Sequence, residues 1–566
     1  MKFLVSQFSY FLSDPQAKRN LSALRTYLLF LLGLMVVYTV VFHVLMLTVE
    51  GQRHSWLTGF YWTMTVMSTL GFGDITFHTD IGRAFSLIVL LSGVFLLLIM
   101  LPFAFIRYFY APWLEAQIRA KAPRRLPPEV AGHVIITRSD SITNGLLRKL
   151  RFNHIPYVIL ESDPVVATQL HEDGLSVVAG EVDDPATYKA VNIGKARLVL
   201  ANDEDPVNTN ILLTARSLNE QVPIIAIADE EDSLDIFSLS GATYPLPLKK
   251  KLGEQLATRV SAGTRAVHEV GRFKDLVIVE FLVHDSPMSG RSLRDARLRE
   301  QTGINVVGIW EGGHLHPVRP DQPLADTSVP VAIGTGEQVE RLRQLLENPE
   351  SRQHAVLVIG GGKVGRSAAR ALRERGIRVH LLDRDPELRE LLEPYCDHLT
   401  IGDAADRATI DRAGIGEVDA VALTTNDDAQ NIHLAVYCRR LQPQLNIVSR
   451  ITRERNIEAI YRAGADFVLS YASLGCEYIV AYLLGREPVM VGEGAEFYSV
   501  QLPGSLADKT LAESGIGART GLVVIAVETP GETLTNPPAS TRLTSGARLL
   551  MLGTNQQRER FNELFS

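Results

Sequence analysis

Between Ala84 and Ile106 the chain carries no charged side chain, and between Tyr27 and Val49 the apolar run is broken only by Thr, Gly, Tyr and a single histidine, His43. A bilayer core takes roughly 20 apolar residues in a helix, and both runs reach that length. They are predicted to be membrane spans, the alternative being two buried helices of a soluble core. The first run is too long for a cleaved leader and has no small-residue cleavage site. Lys18, Arg19 and Arg25 precede the first span, and Arg107, Arg119, Lys121, Arg124 and Arg125 follow the second. The connecting loop holds only Arg53 and Arg83. That bias predicts a multi-pass protein of the plasma or inner membrane, surrounded by lipid, with both termini cytoplasmic.

The loop between the spans has a third apolar segment with Trp56, Phe60, Tyr61, Trp62, Met64 and Met67, too short to cross. It ends in Thr69-Leu70-Gly71-Phe72-Gly73-Asp74. Non-helical backbone at membrane depth must be buried or line a water-filled path. Glycines at alternate positions can adopt left-handed dihedrals and so turn successive carbonyls to one side. Four copies around an axis would stack carbonyl rings, with the Thr69 hydroxyl as the lowest, able to replace the water shell of an ion. This stretch resembles the filter of the potassium-channel family, T-V-G-Y-G-D, with Leu70 for valine and Phe72 for tyrosine. The resemblance implies a homotetramer conducting K+ through Thr69, Leu70, Gly71, Phe72 and Gly73. In the second span Gly93, Leu97 and Leu101 share one helical face. Gly93 sits where the family has its inner-helix bending point, and Leu97 would form an apolar constriction one turn below. The alternative for Gly93 is close helix packing.

Beyond a Pro-containing linker (residues 111–129) the chain repeats itself at an offset of 222 or 223 residues. His133-Val134-Ile135-Ile136 returns as Val356-Leu357-Val358, Tyr157–Glu161 as Val379–Asp383, and Ser240-Gly241-Ala242 as Ala463-Gly464-Ala465. A smaller unit repeats too, Gly303–Val307 as Gly521–Ile525. Alternating strands and helices predict two parallel, Rossmann-like α/β lobes, each followed by a small α+β lobe. The expected domains are a pore (1–110), a first copy (130–350, its lobes 130–270 and 271–350) and a second (351–566, its lobes 351–490 and 491–566).

The second copy carries Gly360-Gly361-Gly362-Lys363-Val364-Gly365 directly after a strand and at the start of a helix. Gly360 suits the tight turn, Gly362 the approach of a pyrophosphate, and Gly365 close helix–strand packing. Asp383 follows 18 residues after Gly365, where a carboxylate takes ribose hydroxyls. With Arg384, Gly402 and Asp403 it completes the candidate site, which favours NAD or ADP over a 2′-phosphorylated nucleotide. In the first copy the glycine positions hold Arg138, Asp140 and Thr143, so no dinucleotide is expected there in the same way, although Glu161 keeps the acid position.

These repeats resemble the RCK (KTN) domains that regulate potassium channels and transporters. The resemblance implies a ring of eight such domains, two from each of four subunits, below the pore. Some members are gated by calcium, and Glu181, Asp183, Asp184 and Asp229 would supply hard oxygen ligands. The composition agrees with a reducing compartment and no nucleic-acid partner: three cysteines without metal-ligand spacing, and a net charge of −7. A regulatory subunit of a transporter would explain the repeat but not the pore loop. A membrane-bound NAD-dependent oxidoreductase would explain the fingerprint but has no poised acid or base, so no catalytic residue is expected.

Overall fold

A computed structural model describes residues 15–565 except 112, 115–120, 262–266, 274–275, 282, 284–285, 312–313, 317, 319–320, 326–327, 347–354, 486–487, 489–494, 530–531 and 536. Arg119 and the expected boundaries at 350/351 and 490/491 lie outside the described residues. The chain divides into two units, residues 1–124 with 161–180 and residues 125–160 with 181–566.

In the first unit an outer helix (Pro15–Thr48), a pore helix (Trp56–Met67) and an inner helix beginning at Asp80 follow one another. Two segments, Ser22–Thr48 and Asp80–Tyr108, are long and apolar enough to cross a membrane. Ser55 and Thr79 cap the pore and inner helices, accepting from Thr58 N and Gly82 N. The pore helix is short but anchored by aromatics. Trp62 lies 4.9 Å from Phe42, 5.3 Å from Phe77 and 5.7 Å from Phe85 between ring centres. Leu31, Met35, Met46, Met67 and Val89 complete this core. Glu50, just past the outer helix, accepts from Thr79 N (2.9 Å), Thr79 Oγ1 (2.8 Å) and His78 N (3.0 Å), tying the two span ends together.

The inner helix is not α-helical throughout. After Asp80–Gly93 it passes through a π-helix (Val94–Met100), an α-turn (Leu101–Phe105) and a second π-helix (Ile106–Tyr110).

The repeat beyond the linker is plain in the strands. The first copy has β1 (Val134–Ile136), β2 (Tyr157–Glu161), β3 (Val177–Ala179), β4 (Leu198–Ala201), β5 (Ile224–Ile227) and β6 (Tyr244–Leu246). Its C-lobe has β7 (His268–Phe273), β8 (Leu276–Glu280), β9 (Asn305–Glu311), β10 (His314–His316) and β11 (Val329–Thr335). The second copy has β12 (Ala355–Ile359), β13 (Arg378–Asp383), β14 (His398–Ile401), β15 (Ala420–Leu423), β16 (Asn446–Ile451) and β17 (Phe467–Ser470). Its C-lobe has β18 (Ala495–Gln501), β19 (Val523–Thr529), β20 (Glu532–Thr535) and β21 (Arg548–Thr554). The second N-lobe is a parallel sheet in the order β14-β13-β12-β15-β16-β17, and β2-β1-β4-β5-β6 repeat that arrangement. This is the doubly wound order, with a switch point at the carboxyl end of the first strand of each copy.

The repeat extends to single hydrogen bonds. Asp205 accepts from Asp229 N, Glu230 N and Ser233 Oγ, and Asp428 accepts from Thr452 N, Arg453 N and Asn456 Nδ2. Arg216 Nε donates to Gly241 O as Arg439 Nε does to Gly464 O.

The copies interlock reciprocally. The helix after β6 (Leu248–Val260) packs on the first helix of the second copy (Lys363–Glu374), and the helix after β17 (Tyr471–Leu484) packs on the first helix of the first copy (Ser141–Phe152). A Cβ on Gly253 would lie 2.5 Å from Val364 O, so only glycine permits that approach. The C-lobe sheets share a core in which Trp310, Val331 and Ile333 meet Ile525, Leu550 and Leu552. Buried Arg259 pairs with buried Glu280 of β8, and its guanidinium sits 4.1 Å from the centre of the Phe467 ring in β17.

Candidate filter and nucleotide-binding site

The pore loop turns on three residues. Thr69, Gly71 and Gly73 have φ of 64°, 45° and 76°, with Leu70 and Phe72 between them outside that region. The glycine alternation is where the sequence places it. The positive φ of Thr69 is not legible from residue type, because a β-branched residue is the least suited to it. Holding it there costs of order 1–3 kcal/mol. The pore helix holds the start of the loop, since Gly71 N donates to Thr65 O at 3.1 Å. Leu70 and Phe72 are 63% and 65% exposed in the single chain, and Phe72 lies parallel to Tyr61 at 6.4 Å and 4°.

Gly93 is buried against the end of the pore helix. A Cβ there would meet Met67 Cα at 2.4 Å and Met67 O at 2.5 Å, so close packing accounts for this glycine whatever its part in bending. The departure from α register starts at the next residue, Val94. Leu97 is half-buried against the core of the first unit.

In the second copy β12 runs into Gly360 at φ 106°, and Gly360 N donates to Leu382 O. A Cβ on Gly365 would sit 1.8 Å from Gly360 O, which confirms the packing role of that glycine. Thr424, which nothing in the sequence singled out, fixes the turn through Oγ1 bonds to Ile359 O (3.0 Å) and Gly360 O (2.7 Å). Gly362 differs from both. Its φ is −65° and a Cβ would have nothing within 4 Å, so neither backbone strain nor packing in the chain requires glycine. It is the N-cap of Lys363–Glu374 and offers no side-chain cap, leaving the helix N–H groups turned to open space, where an anion is favoured. Asp383, at the end of β13, accepts from Gly361 N (2.5 Å) and Asp385 N (2.9 Å). Gly402 N bonds Asp383 O, and Asp403 and Arg384 are exposed beside it. Glycine loop, acid and Gly402 thus converge at the switch point. Val364 instead points into the core, 2% exposed.

Lys363 faces the other copy. Its Nζ lies 2.6 Å from Glu230 and 3.9 Å from Asp229, and two turns further along the helix Arg370 pairs with Glu231 at 3.2 Å. Lys249 and Lys250 take Asp229 and Glu231 at 2.7 and 3.0 Å. Together these side chains line an open cleft between the copies.

The first copy has filled its own site. Asp140, in the position of Gly362, accepts from Ile142 N (2.9 Å) and Thr143 N (3.0 Å), so its carboxylate takes the N–H groups a phosphate would use. Arg138 pairs with Asp203 at 2.9 Å, and the Tyr471 ring of the second copy closes the same cleft. Burial, and then the charges of Asp229 and Asp140, hold the Tyr471 phenol far above its ordinary range, hence neutral.

Of the four carboxylates considered for a divalent cation, those of Asp184 and Asp229 have other duties. Asp184 caps Pro185–Ala190, Asp229 is paired with Lys249, and the backbone carbonyls of Glu181 and Asp183 accept from Asp184 N and Thr214 Oγ1. Among the described residues no three or more His, Cys, Asp or Glu side chains form a group able to hold a metal ion.

Family models match the whole layout: one described as ion channel over residues 28–109, the TrkA-N domain over 134–246 and again 356–471, and the TrkA-C domain over 278–347 and again 497–566. Potassium channel protein 1 of Methanocaldococcus jannaschii is 25% identical over 329 residues, 56% of this chain and 98% of that protein. A solved structure of the GsuK channel bound to NAD is 37% identical, covering 97% of this chain and 99% of its own, with a TM-score of 0.55. A second GsuK channel structure is 37% identical over 96% of this chain and 99% of its own, with a TM-score of 0.56.

Proposed function

The chain belongs to the family of potassium channels regulated by tandem TrkA-type (RCK) domains, and from that premise we propose that its second copy alone binds the gating nucleotide, NAD or ADP. It is a ligand-gated potassium channel. Four subunits surround one axis in this reading, Thr69 to Gly73 of each forming the filter, with eight RCK copies in a ring on the cytoplasmic side. The inner helix bends near Gly93 and closes at Leu97. Nucleotide binding changes the shape of the ring, and it can move the gate only by its differential affinity for the closed and open rings.

One contrast carries the assignment of the nucleotide. Gly362 leaves an uncapped helix N-terminus facing open space, whereas Asp140 supplies the first copy with a carboxylate of its own at the equivalent place. The Asp383 carboxylate supports a ribose with free hydroxyls and disfavours a 2′-phosphate. Calorimetry on the purified channel should give about one NAD or ADP per subunit, lost in Gly362→Ala. Two per subunit, or unaltered affinity in that variant, would overturn the assignment. A divalent-cation role for Glu181, Asp183, Asp184 and Asp229 is a separate proposal, tested by adding calcium to the nucleotide-free channel during recording.

A further inference from the structure

Leu101 N donates to Leu96 O, five residues back, as a π-helix requires. Pro102 supplies the cause. It has no N–H to give, and in an α-helix its ring would press on the carbonyl of Leu98. The wider turn of Val94–Met100 relieves that conflict. Such turns are costly and need support from outside the helix, and here the outer helix provides it: the Tyr27 hydroxyl donates to Leu96 O at 2.6 Å. Leu96 O therefore holds two bonds, one that defines the π register and one from the neighbouring span. Leu97 is the next residue and lies inside the π segment. Passing from π to α register shifts the helix by one residue. That turns the side chains beyond Met100 by about 100° around the axis and those inside the segment, Leu97 among them, by a part of that angle. The direction in which Leu97 points is thus set by the register that Tyr27 braces.

We propose that Tyr27 is a positioning residue for the gate: its hydroxyl holds the inner helix in π register beside Leu97 in one gating state and releases it in the other. This rests on the reading of Leu97 as the constriction. The test is a double-mutant cycle on the full channel in planar bilayers, at fixed ligand, reading the ratio of open to closed time. Tyr27→Phe removes only the hydroxyl and should change that ratio by about fivefold, the worth of one hydrogen bond. Pro102→Ala restores a donor for the α register and should shift the ratio in the same direction. In the Pro102→Ala background Tyr27→Phe should add nothing, because the brace no longer has a π turn to hold. Reversal potential should stay unchanged throughout, and apparent nucleotide affinity should move only by the amount that linkage to the open-to-closed ratio requires. An unaltered ratio in Tyr27→Phe, full additivity in the double variant, or loss of selectivity along with gating would each overturn the proposal. Leu97→Asp, recorded alongside, separates the two readings. If it stays open whatever the ligand while Tyr27→Phe has no effect, the constriction stands and the brace falls. If Leu97→Asp closes normally, the constriction fails and the brace with it.

Discussion

Gly362, the N-cap, and Gly365, in the first turn of the helix, stand three residues apart and are glycines for unrelated reasons. A methyl group on Gly365 would collide with the carbonyl of Gly360, whereas one on Gly362 meets only open space. Gly365→Ala should therefore lower the melting temperature of the channel by several degrees, and Gly362→Ala should leave it within about one degree while nucleotide binding is lost. Differential scanning calorimetry with and without nucleotide checks both. A stabilised Gly362→Ala channel that still binds would mean that the empty space serves no ligand. The glycine turn after β12, the acid at the end of β13 and the loss of the glycines in the first copy were legible in the sequence, because each depends on residue type at a fixed spacing. Thr69 in left-handed backbone was not, since its local preference argues against it. Nor were the partners of Lys363, which come from the other copy and share no local pattern with it.

At the scale of elements, the spans, the pore helix and the alternating strands follow from hydrophobic periodicity and the turn residues between them. The π-helices do not. Pro102 marks a place where the inner helix must yield, but residue type does not say whether it yields by a kink or by a wider turn. Helix partners are equally silent, because an apolar face reveals that it is covered without revealing by what. The packing of Leu248–Val260 brings Arg259 under the C-lobe, where Glu280 and the Phe467 ring enclose it. Burial lowers the affinity of Arg259 for its proton, so the pair depends on mutual neutralisation. Arg259→Ala should leave Glu280 buried without a counter-charge and destabilise the protein by about 3–5 kcal/mol. The double variant Arg259→Met with Glu280→Leu should recover most of that loss. Chemical denaturation of the three proteins tests the pair; a double variant as weak as the single one would show that packing, not charge, holds the junction.

Across the whole chain, the acidic loop after β5 adds a second contact, beside that of Leu248–Val260, between the first copy and the helix Lys363–Glu374 of the second. Burial by itself would raise the Glu231 carboxyl, but the bond from Lys250 and the charges of Lys250 and Arg370 outweigh it and hold the group below its ordinary value. A carboxylate lowered on folding stabilises the folded state above its unfolded pKa, and that contribution fades as pH falls through the folded one. The melting temperature of Glu231→Gln should thus lie below that of the unaltered channel at pH 7, and the gap should close below about pH 4. A gap that persists in acid would assign the contact to packing. The reciprocal crossing of the two copies has a consequence for descent. Each copy lends its last N-lobe helix to the other, so an ancestor with a single copy would have met its own twin across a true two-fold axis, in a homodimer with two equal nucleotide pockets. Fusion of two such copies into one chain would free each half to change without its twin. Asp140 marks where the halves differ: its carboxylate caps its own helix, whereas Gly362 leaves the equivalent helix without a side-chain cap, and under the proposed nucleotide assignment a change that would silence both pockets of such an ancestor would silence only one.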